Sequence, residues 1–391
     1  MNKIFMVIPL YYKENNPESI QGQRIKEGLE SRGYIVEILD EFSIQEFISK
    51  SKYLLLHLTH LILTSLSRII PHPFKDLFLL NEPYAVFNKS YLKMLELKII
   101  SNPDCIVLTS STPFCIHEIG LKIKEIHGNK WIMRMSDPYV DNPYSKSTLR
   151  WTQLRQLNKE SRYFHLADGI SITSDNYLKI LNNRYPNLKS KFYLIYHSIS
   201  STFSSIESQS SDREKYPIKG AFLGNIYGRR KPTSLLFSLK NNVKRLESIG
   251  VEMHFYGRIL YRYKVLVKLL TLSKIVYFHG QFKQSESDDI MNGHDFFVNI
   301  ESNDVPNPFF PSKLTDYFRF QKPILNLAPI GSLSRRLINI KDYSANPNNV
   351  EEIGHALDYI IGTIRKEIIY NTVDMTLESI VEKYCKLIEG V

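Results

Sequence analysis

The sequence predicts an α/β fold of two domains, each a parallel sheet flanked by helices, and three observations carry that expectation. Apolar runs of strand length alternate with helical stretches along the chain, the pattern that builds crossover-connected parallel strands. At 391 residues there is room for two domains that each bury a core of their own. A serine-rich run, Ser200 to Ser211 followed by Asp212, Arg213, Glu214 and Lys215, interrupts the alternation and reads as a linker.

In order, Ile4 to Ile8 reads as a first strand. With Lys3 before it and Pro9-Leu10 after it, the same run has the look of a short signal peptide, but it lacks a small-residue cleavage site and a buried strand explains it better. A polar loop is expected from Tyr12 to Gln23, with Gly22 in it, then a helix from Arg24 to Arg32, a stop at Gly33 and a strand Ile35 to Leu39. Between Tyr53 and Ile70 the polar residues His57, His60, Thr64, Ser67 and Arg68 recur at helical spacing, opposite Leu54, Leu55, Leu58, Leu61, Ile62, Leu66 and Ile69. Two readings stand for it: a core helix of the first domain, or a helix lying on an anionic membrane surface, as Lys50, Lys52, Arg68 and Lys75 around it suggest. Its histidines and arginine argue against a bilayer span.

Asp104 to Leu108 is the next strand, with Thr109 to Pro113 as its loop and a helix from Gly120 to Ile126. Lys130 to Met135 is another, ending at Ser136-Asp137-Pro138-Tyr139. Ala167 to Ser174 repeats the theme, and Phe192 to Ser198 is a late strand. Neither Asp nor Glu is assigned to complete a hydrolytic triad with His197 and Ser198, so His197 is read as structural or as part of a polar cleft. The second half opens with strand Gly220 to Gly224 and a loop bearing Arg229-Arg230-Lys231. Strands at Glu252 to Tyr256 and Ile275 to Phe278 follow, and a final helix, Met375 to Ile388, has Leu377, Ile380, Val381, Tyr384 and Leu387 on one face.

Composition narrows the function. Hydrophobic residues at 43% exclude wholesale disorder, and 50 Lys and Arg against 40 Asp and Glu, a net +10, favour an anionic partner such as a nucleotide, a lipid surface or nucleic acid. The same charge also serves solubility. Cys105, Cys115 and Cys385 form no CxxC pair and are odd in number, which points to neither a disulfide framework nor a zinc site and suits a reducing cytoplasm. No aromatic-basic motif of a nucleic-acid module appears, so no nucleic-acid partner is expected.

The most informative stretch runs from Gly280 to Ser332. It contains a strand, Phe296 to Ile300, a proline-rich loop, Val305 to Pro311, a helix opening near Ser312, and a strand, Ile324 to Leu327. In a parallel sheet such a loop faces the crevice at the carboxyl ends of the strands, where a helix start offers free N–H groups to a phosphate. Pro311-Ser312-Lys313-Leu314 with Asp316-Tyr317, followed by Lys322-Pro323-Ile324-Leu325, resembles the donor-binding segment of family-four glycosyltransferases. Those enzymes have the GT-B fold.

The resemblance implies two Rossmann-like domains with an interdomain cleft, an acceptor domain over 1–205 and a donor domain over 216–371, with the helix at 372–391 crossing back onto the first. It implies transfer from a UDP- or GDP-linked sugar with retention, without a bound metal or other cofactor; no Asp-x-Asp motif is present. Asp316 stands where the family usually has a Glu that holds the ribose hydroxyls, and Pro308 where many members carry another Glu. Lys231, seven residues after Gly224, and Arg230 fall on the family's diphosphate-binding positions, together with Ser312 and Lys313 at the helix start, while Asn225 replaces a common Arg. Gly22 falls in the loop where many relatives approach the diphosphate with glycines. Gln281 and Phe282 fall near the base. Ser136-Asp137-Pro138-Tyr139 resembles an Asp-Pro-aromatic turn of enzymes that build bacterial surface polysaccharides, which makes Asp137 a candidate to touch the acceptor hydroxyl or take its proton; an ordinary turn is the other reading.

The expected protein is thus a cytoplasmic glycosyltransferase, peripheral on the inner face of the cell membrane through residues 53–70, acting on a glycan or lipid-linked acceptor of capsule, lipopolysaccharide or another surface polysaccharide. Two alternatives remain at this stage. One is a nucleotide-sugar epimerase of the same fold, the other a non-catalytic basic protein that binds membrane or nucleic acid.

Overall fold

The computed structural model describes the chain except for residues 1–2, 10, 12–15, 71–81, 146, 148, 200–216 and 365–367. The serine-rich run expected to be a linker, and Lys75, lie outside the described residues. The chain divides into two compact units, Met1–His197 with Leu377–Val391, and Ser198–Thr376.

Unit 1 is built on a six-stranded sheet: β1 (Lys3–Val7), β2 (Ile35–Leu39), β3 (Ile106–Ser110), β4 (Trp131–Met135), β5 (Gly169–Ile172) and β6 (Phe192–Leu194). Its order is β2-β1-β3-β4-β5-β6 and its pairings are parallel. Every residue of β3, β4 and β5 is buried, as a sheet covered by helices on both faces requires. The two-residue period of the strands sorts the core. Phe5, Val7 and Val107 join one cluster with Tyr91, Leu95, Ile116 and Ile119, while Ile4, Met6, Ile106 and Leu108 join another with Ile25, Leu29, Ile380 and Leu387. β3 begins two residues later than the sequence suggested, and the strand expected to reach Ser198 stops at Leu194.

The first connection departs from expectation. Helix α1 spans Pro17–Ser31, absorbing half of the predicted loop: the Asn16 side chain accepts a hydrogen bond from the Glu18 N–H at 3.0 Å, and Pro17 occupies the first turn. Gly22 therefore lies inside a helix and not in a loop. It is buried, and a Cβ there would stand 2.6 Å from Ile8 Cδ1, so glycine lets α1 settle against the end of the first strand. One turn and a half later, a Cβ on Gly28 would stand 2.1 Å from Val381 Cγ2 of the C-terminal helix, Leu377–Glu389. That helix packs on unit 1 through Ile380, Val381, Tyr384, Leu387 and Ile388. Helices α2 (Glu41–Phe47) and α3 (Lys50–Ile69) follow β2, and α3 turns Tyr53, Leu56, His57 and His60 towards the unit while most of its leucines face outwards.

Unit 2 carries a second parallel sheet: β7 (Ile218–Leu223), β8 (Val251–Tyr256), β9 (Val276–Gly280), β10 (Phe296–Ile300), β11 (Ile324–Leu327) and β12 (Ser344–Ala345), in the order β12-β11-β10-β7-β8-β9. Strand order reverses between β7 and β10. Loops leaving the carboxyl ends of such a pair run in opposite directions and leave a crevice, the usual ligand position in an open α/β sheet.

Candidate functional site

The crevice between β7 and β10 is where the sequence-selected side chains come together. The short helix Lys313–Phe318 opens where expected, after Ser312, whose own backbone is already helical and whose side chain makes no cap. Tyr317 fixes it in place. Its hydroxyl accepts a hydrogen bond from the Leu223 N–H at the end of β7 (3.0 Å) and donates to the Val298 carbonyl of β10 (3.3 Å), and its ring stacks on Phe297 at 4.6 Å.

Lys313 is consequently laid across the end of β7. A Cβ on Gly224 would stand 3.2 Å from Lys313 Cε, and Gly224 has a φ of +151°, so glycine is required both for the turn and for the passage of the lysine. The ammonium lies 5.6 Å from the centroid of Phe282. Burial lowers its pKa; Asp316, one turn on, opposes the shift, and the neighbouring positive charge of Arg230 adds to it. Two cations from separate loops, Lys313 and Arg230, thus lie near one another, with the carboxylates of Asp316 and Glu301 beside them. A bound anion would relieve the repulsion between the two cations.

The three consecutive basic residues of the β7 loop have three different fates. Arg229 pairs with Asp304 of the β10 loop, Nη2 to Oδ1 at 2.5 Å and Nε to Oδ2 at 3.1 Å, and so ties the two loops together. Arg230 is half-buried and acts on Lys313 and on Glu301. Lys231 is exposed and has no recorded partner among the described residues. Of the two residues, Arg230 is the one whose charge reaches Lys313, and Lys231 lies exposed.

Glu301 is the residue that sequence reasoning passed over. It is buried immediately after β10, where its N–H donates to the Leu327 carbonyl at 2.8 Å. Its carboxylate accepts hydrogen bonds from Asn299 Nδ2 (3.0 Å) and from Asn307 Nδ2. Burial raises its pKa, against the hydrogen bonds from Ser334, Asn299 and Asn307 and the charge of Arg230. Asn307 in turn accepts from the Phe309 N–H at 3.1 Å, so Glu301 shapes the loop that delivers Ser312 and Lys313. The available signal was a carboxylate directly after a buried strand, Phe296–Ile300, that is apolar but for Asn299.

At the exits of β8 and β9, Tyr256 and His279 stack at 4.3 Å and 10°, with Phe282 edge-on to Tyr256 at 6.2 Å. Gly257 sits so close to the Gly224 carbonyl that a Cβ would approach it to 2.1 Å. Phe282, expected near a base, is therefore beside Lys313. No contact recorded among the described residues places Gln281 in the same group.

In unit 1, Asp137 is exposed in the turn after β4, within 3.5 Å of the Thr112 hydroxyl. The turn is held firmly: Tyr139 stacks on Phe114 at 3.7 Å, the Val140 N–H donates to Glu160 at 3.2 Å, and Arg184 grips Asp141 through two bonds of 2.7 and 2.5 Å. Glu160 is fully buried there, and burial pushes its pKa up to about 7 although Arg184 draws it down. His197 is buried too. Burial, with Arg134 and Arg24 nearby, holds it well below the usual histidine range, which favours the neutral, structural reading. Among the described residues no group of three or more His, Cys, Asp or Glu is arranged to hold a metal ion, and no helix is long and apolar enough to cross a membrane.

No family model matches the sequence, and no curated protein is similar to it at a significant level. Solved structures are. Sucrose-phosphate synthase from Thermosynechococcus elongatus superposes with a TM-score of 0.64 at 12% identity, over 99% of this chain and 95% of that one. HepE from Anabaena, in complex with UDP-glucose, gives 0.59 at 13% over the whole of both chains. An α,α-trehalose-phosphate synthase (UDP-forming) from Burkholderia vietnamiensis gives 0.58 at 8%, over 100% and 96%. At these identities the likeness is one of architecture: two Rossmann-like α/β units with parallel sheets and a C-terminal helix returning to the first, the GT-B fold.

Proposed function

We propose that the protein is a glycosyltransferase that moves a sugar from a UDP- or GDP-linked donor to a glycan or lipid-linked acceptor, with retention and without a metal, in the synthesis of a surface polysaccharide. The observation that carries the reading is the meeting of Arg230 and Lys313 with Asp316 at the β7–β10 crevice. As the sugar–phosphate bond breaks, charge builds on the departing diphosphate, and fixed cations already in place stabilise it without reorganising. Arg230, Lys313 and the Ser312 end of the helix take the diphosphate, with Lys231 at the rim, and Asp316 takes the ribose hydroxyls. Asp137 in unit 1 is the candidate to receive the acceptor hydroxyl. The donor contact expected of Gly22 is set aside, because packing against Ile8 accounts for that glycine. The setting is the cytoplasm, on the inner face of the cell membrane.

A thermal-shift screen of nucleoside diphosphates tests the reading first: selective stabilisation by one of them, abolished in Lys313→Ala, is expected. Asp316→Ala should weaken donor binding by about 1.5 to 3 kcal/mol, the usual cost of a charged hydrogen bond. Lys313→Ala should lower kcat/KM by roughly a hundredfold or more if it meets leaving-group charge, with activity unchanged by EDTA. A folded Lys313→Ala protein with full activity would remove the diphosphate site.

A further inference from the structure

Helix α3 is docked the unexpected way round. At about 100° per residue its apolar side chains Leu54, Leu55, Leu58, Leu61, Ile62, Leu66 and Ile69 fill one continuous arc of roughly 140°, and all seven are between 41% and 79% exposed. The opposite side makes the contacts. Tyr53 Oη donates to Glu41 at 3.0 Å, His57 Nδ1 lies 3.4 Å from the same carboxylate, and the His60 ring meets Tyr84 and Phe87 at 5.5 and 5.9 Å. That face packs on the protein together with Leu56, although His57 Nδ1, His60 Nδ1 and Thr64 Oγ1 find no hydrogen-bond partner among the described residues, and rotating the helix to bury its seven exposed Leu and Ile would break the Tyr53–Glu41 bond and the ring contacts of His60.

We propose that α3 lays unit 1 on an anionic lipid surface, with the leucine face entering the acyl boundary. Charge selects this occupant over a second copy of the chain. The twenty residues of α3 include Lys50, Lys52 and Arg68 and neither Asp nor Glu, so two such faces would repel, whereas anionic headgroups above acyl chains match a basic helix with an apolar side. A path of contacts within unit 1 runs from this helix to the Asp137 turn. Tyr84 and Phe87, on which His60 rests, belong to the same short segment as Glu82. Glu82 pairs with Lys159, whose ammonium lies 5.7 and 5.8 Å from the centroids of Phe114 and Tyr139. The acceptor that reaches Asp137 is accordingly one carried by the lipid surface. This last step rests on the transferase reading; the docking of α3 does not.

The test is co-sedimentation of the full chain with phosphatidylcholine vesicles, with and without phosphatidylglycerol, for the native protein and for a Leu58→Glu, Ile62→Glu double variant. The native protein should sediment with the anionic vesicles and be released by salt, and the variant should bind at least roughly tenfold more weakly, with unchanged thermal unfolding and unchanged nucleoside-diphosphate stabilisation. Equal sedimentation of the two proteins, or no sedimentation of the native one, overturns the docking. A dimer seen by light scattering that the substitutions dissolve overturns it in favour of a second copy. Loss of the nucleotide response in both proteins, with vesicle binding intact, would fault the transferase reading alone.

Discussion

Unit 1 contains two amphipathic helices that treat their apolar faces in opposite ways. The C-terminal helix, Leu377–Glu389, buries Ile380, Val381, Tyr384, Leu387 and Ile388 against α1 and the sheet, and two glycines, Gly28 and Gly169, are placed so that it can come close. Helix α3 leaves a wider apolar face uncovered and docks through Tyr53, Leu56, His57 and His60. Amphipathicity states that one face wants to leave water. What covers that face is a separate matter, decided by which surfaces the fold makes available.

The contrast is breakable by mutation, and the largest effect is expected at the buried helix. Leu387→Ala removes a side chain with no exposure and should destabilise unit 1 by about 2 to 5 kcal/mol in denaturant titration. A cost under half a kcal/mol would mean that this helix is as loosely held as the outer face of α3.

Acid probes the buried side next. His117 is fully buried; Trp131 Nε1–H donates to Thr109 Oγ1 at 2.8 Å, which leaves the Thr109 hydroxyl proton for His117 Nδ1, also at 2.8 Å. Burial, with a contribution from Lys159, lowers its pKa to about 3. Because the unfolded chain then binds a proton that the folded one refuses, stability contributed by this group is present above the ordinary histidine pKa. It is lost as pH falls from about 6.5 towards 3, at up to about 1.4 kcal/mol per pH unit. His117→Gln should flatten that part of the profile, measured by thermal unfolding at a series of pH values. An unchanged slope would move the acid sensitivity elsewhere.

Smaller effects are expected on α3. Burial first, and then Glu41, push the Tyr53 pKa up to about 12, so its hydroxyl stays a donor at neutral pH. Tyr53→Phe removes one hydrogen bond to Glu41 and should cost about 0.5 to 1.5 kcal/mol. Leu58→Ala, on the outer face, should change stability by less than about 0.5 kcal/mol. If Leu58→Ala cost more than Tyr53→Phe, the leucine face would be packed against the protein in solution and the contrast would fail.

The site follows the same division between pattern and placement. The helix start at Ser312-Lys313, strand Phe296–Ile300 and strand Ile324–Leu327 were legible because buried parallel strands are short apolar runs and Pro311 and Pro323 punctuate them. Arg230 and Lys231 were singled out together by spacing, yet Arg230, whose N–H closes a turn on the Tyr227 carbonyl, is half-buried with its charge near Lys313, and Lys231 is exposed. Glu301 escaped notice because its importance lies in the way the loop after β10 folds back on it through Asn307, together with Asn299 and the distant Ser334. Gly22 was misplaced because Asn16-Pro17, a helix opening, was read as loop.

The sequence by itself determined the alternation of strands and helices, the helical nature of the stretch from Tyr53 towards Ile70 and the helix start at Ser312-Lys313, since each depends on near neighbours and on a period of two or 3.6 residues. The return of the last helix to unit 1 was already implied by the family resemblance, whereas only the tertiary structure decided that the switch point falls between β7 and β10 and that α3 shows most of its leucines to the outside. Each of these depends on pairing residues far apart in the chain, and side-chain periodicity is the same whichever surface lies opposite.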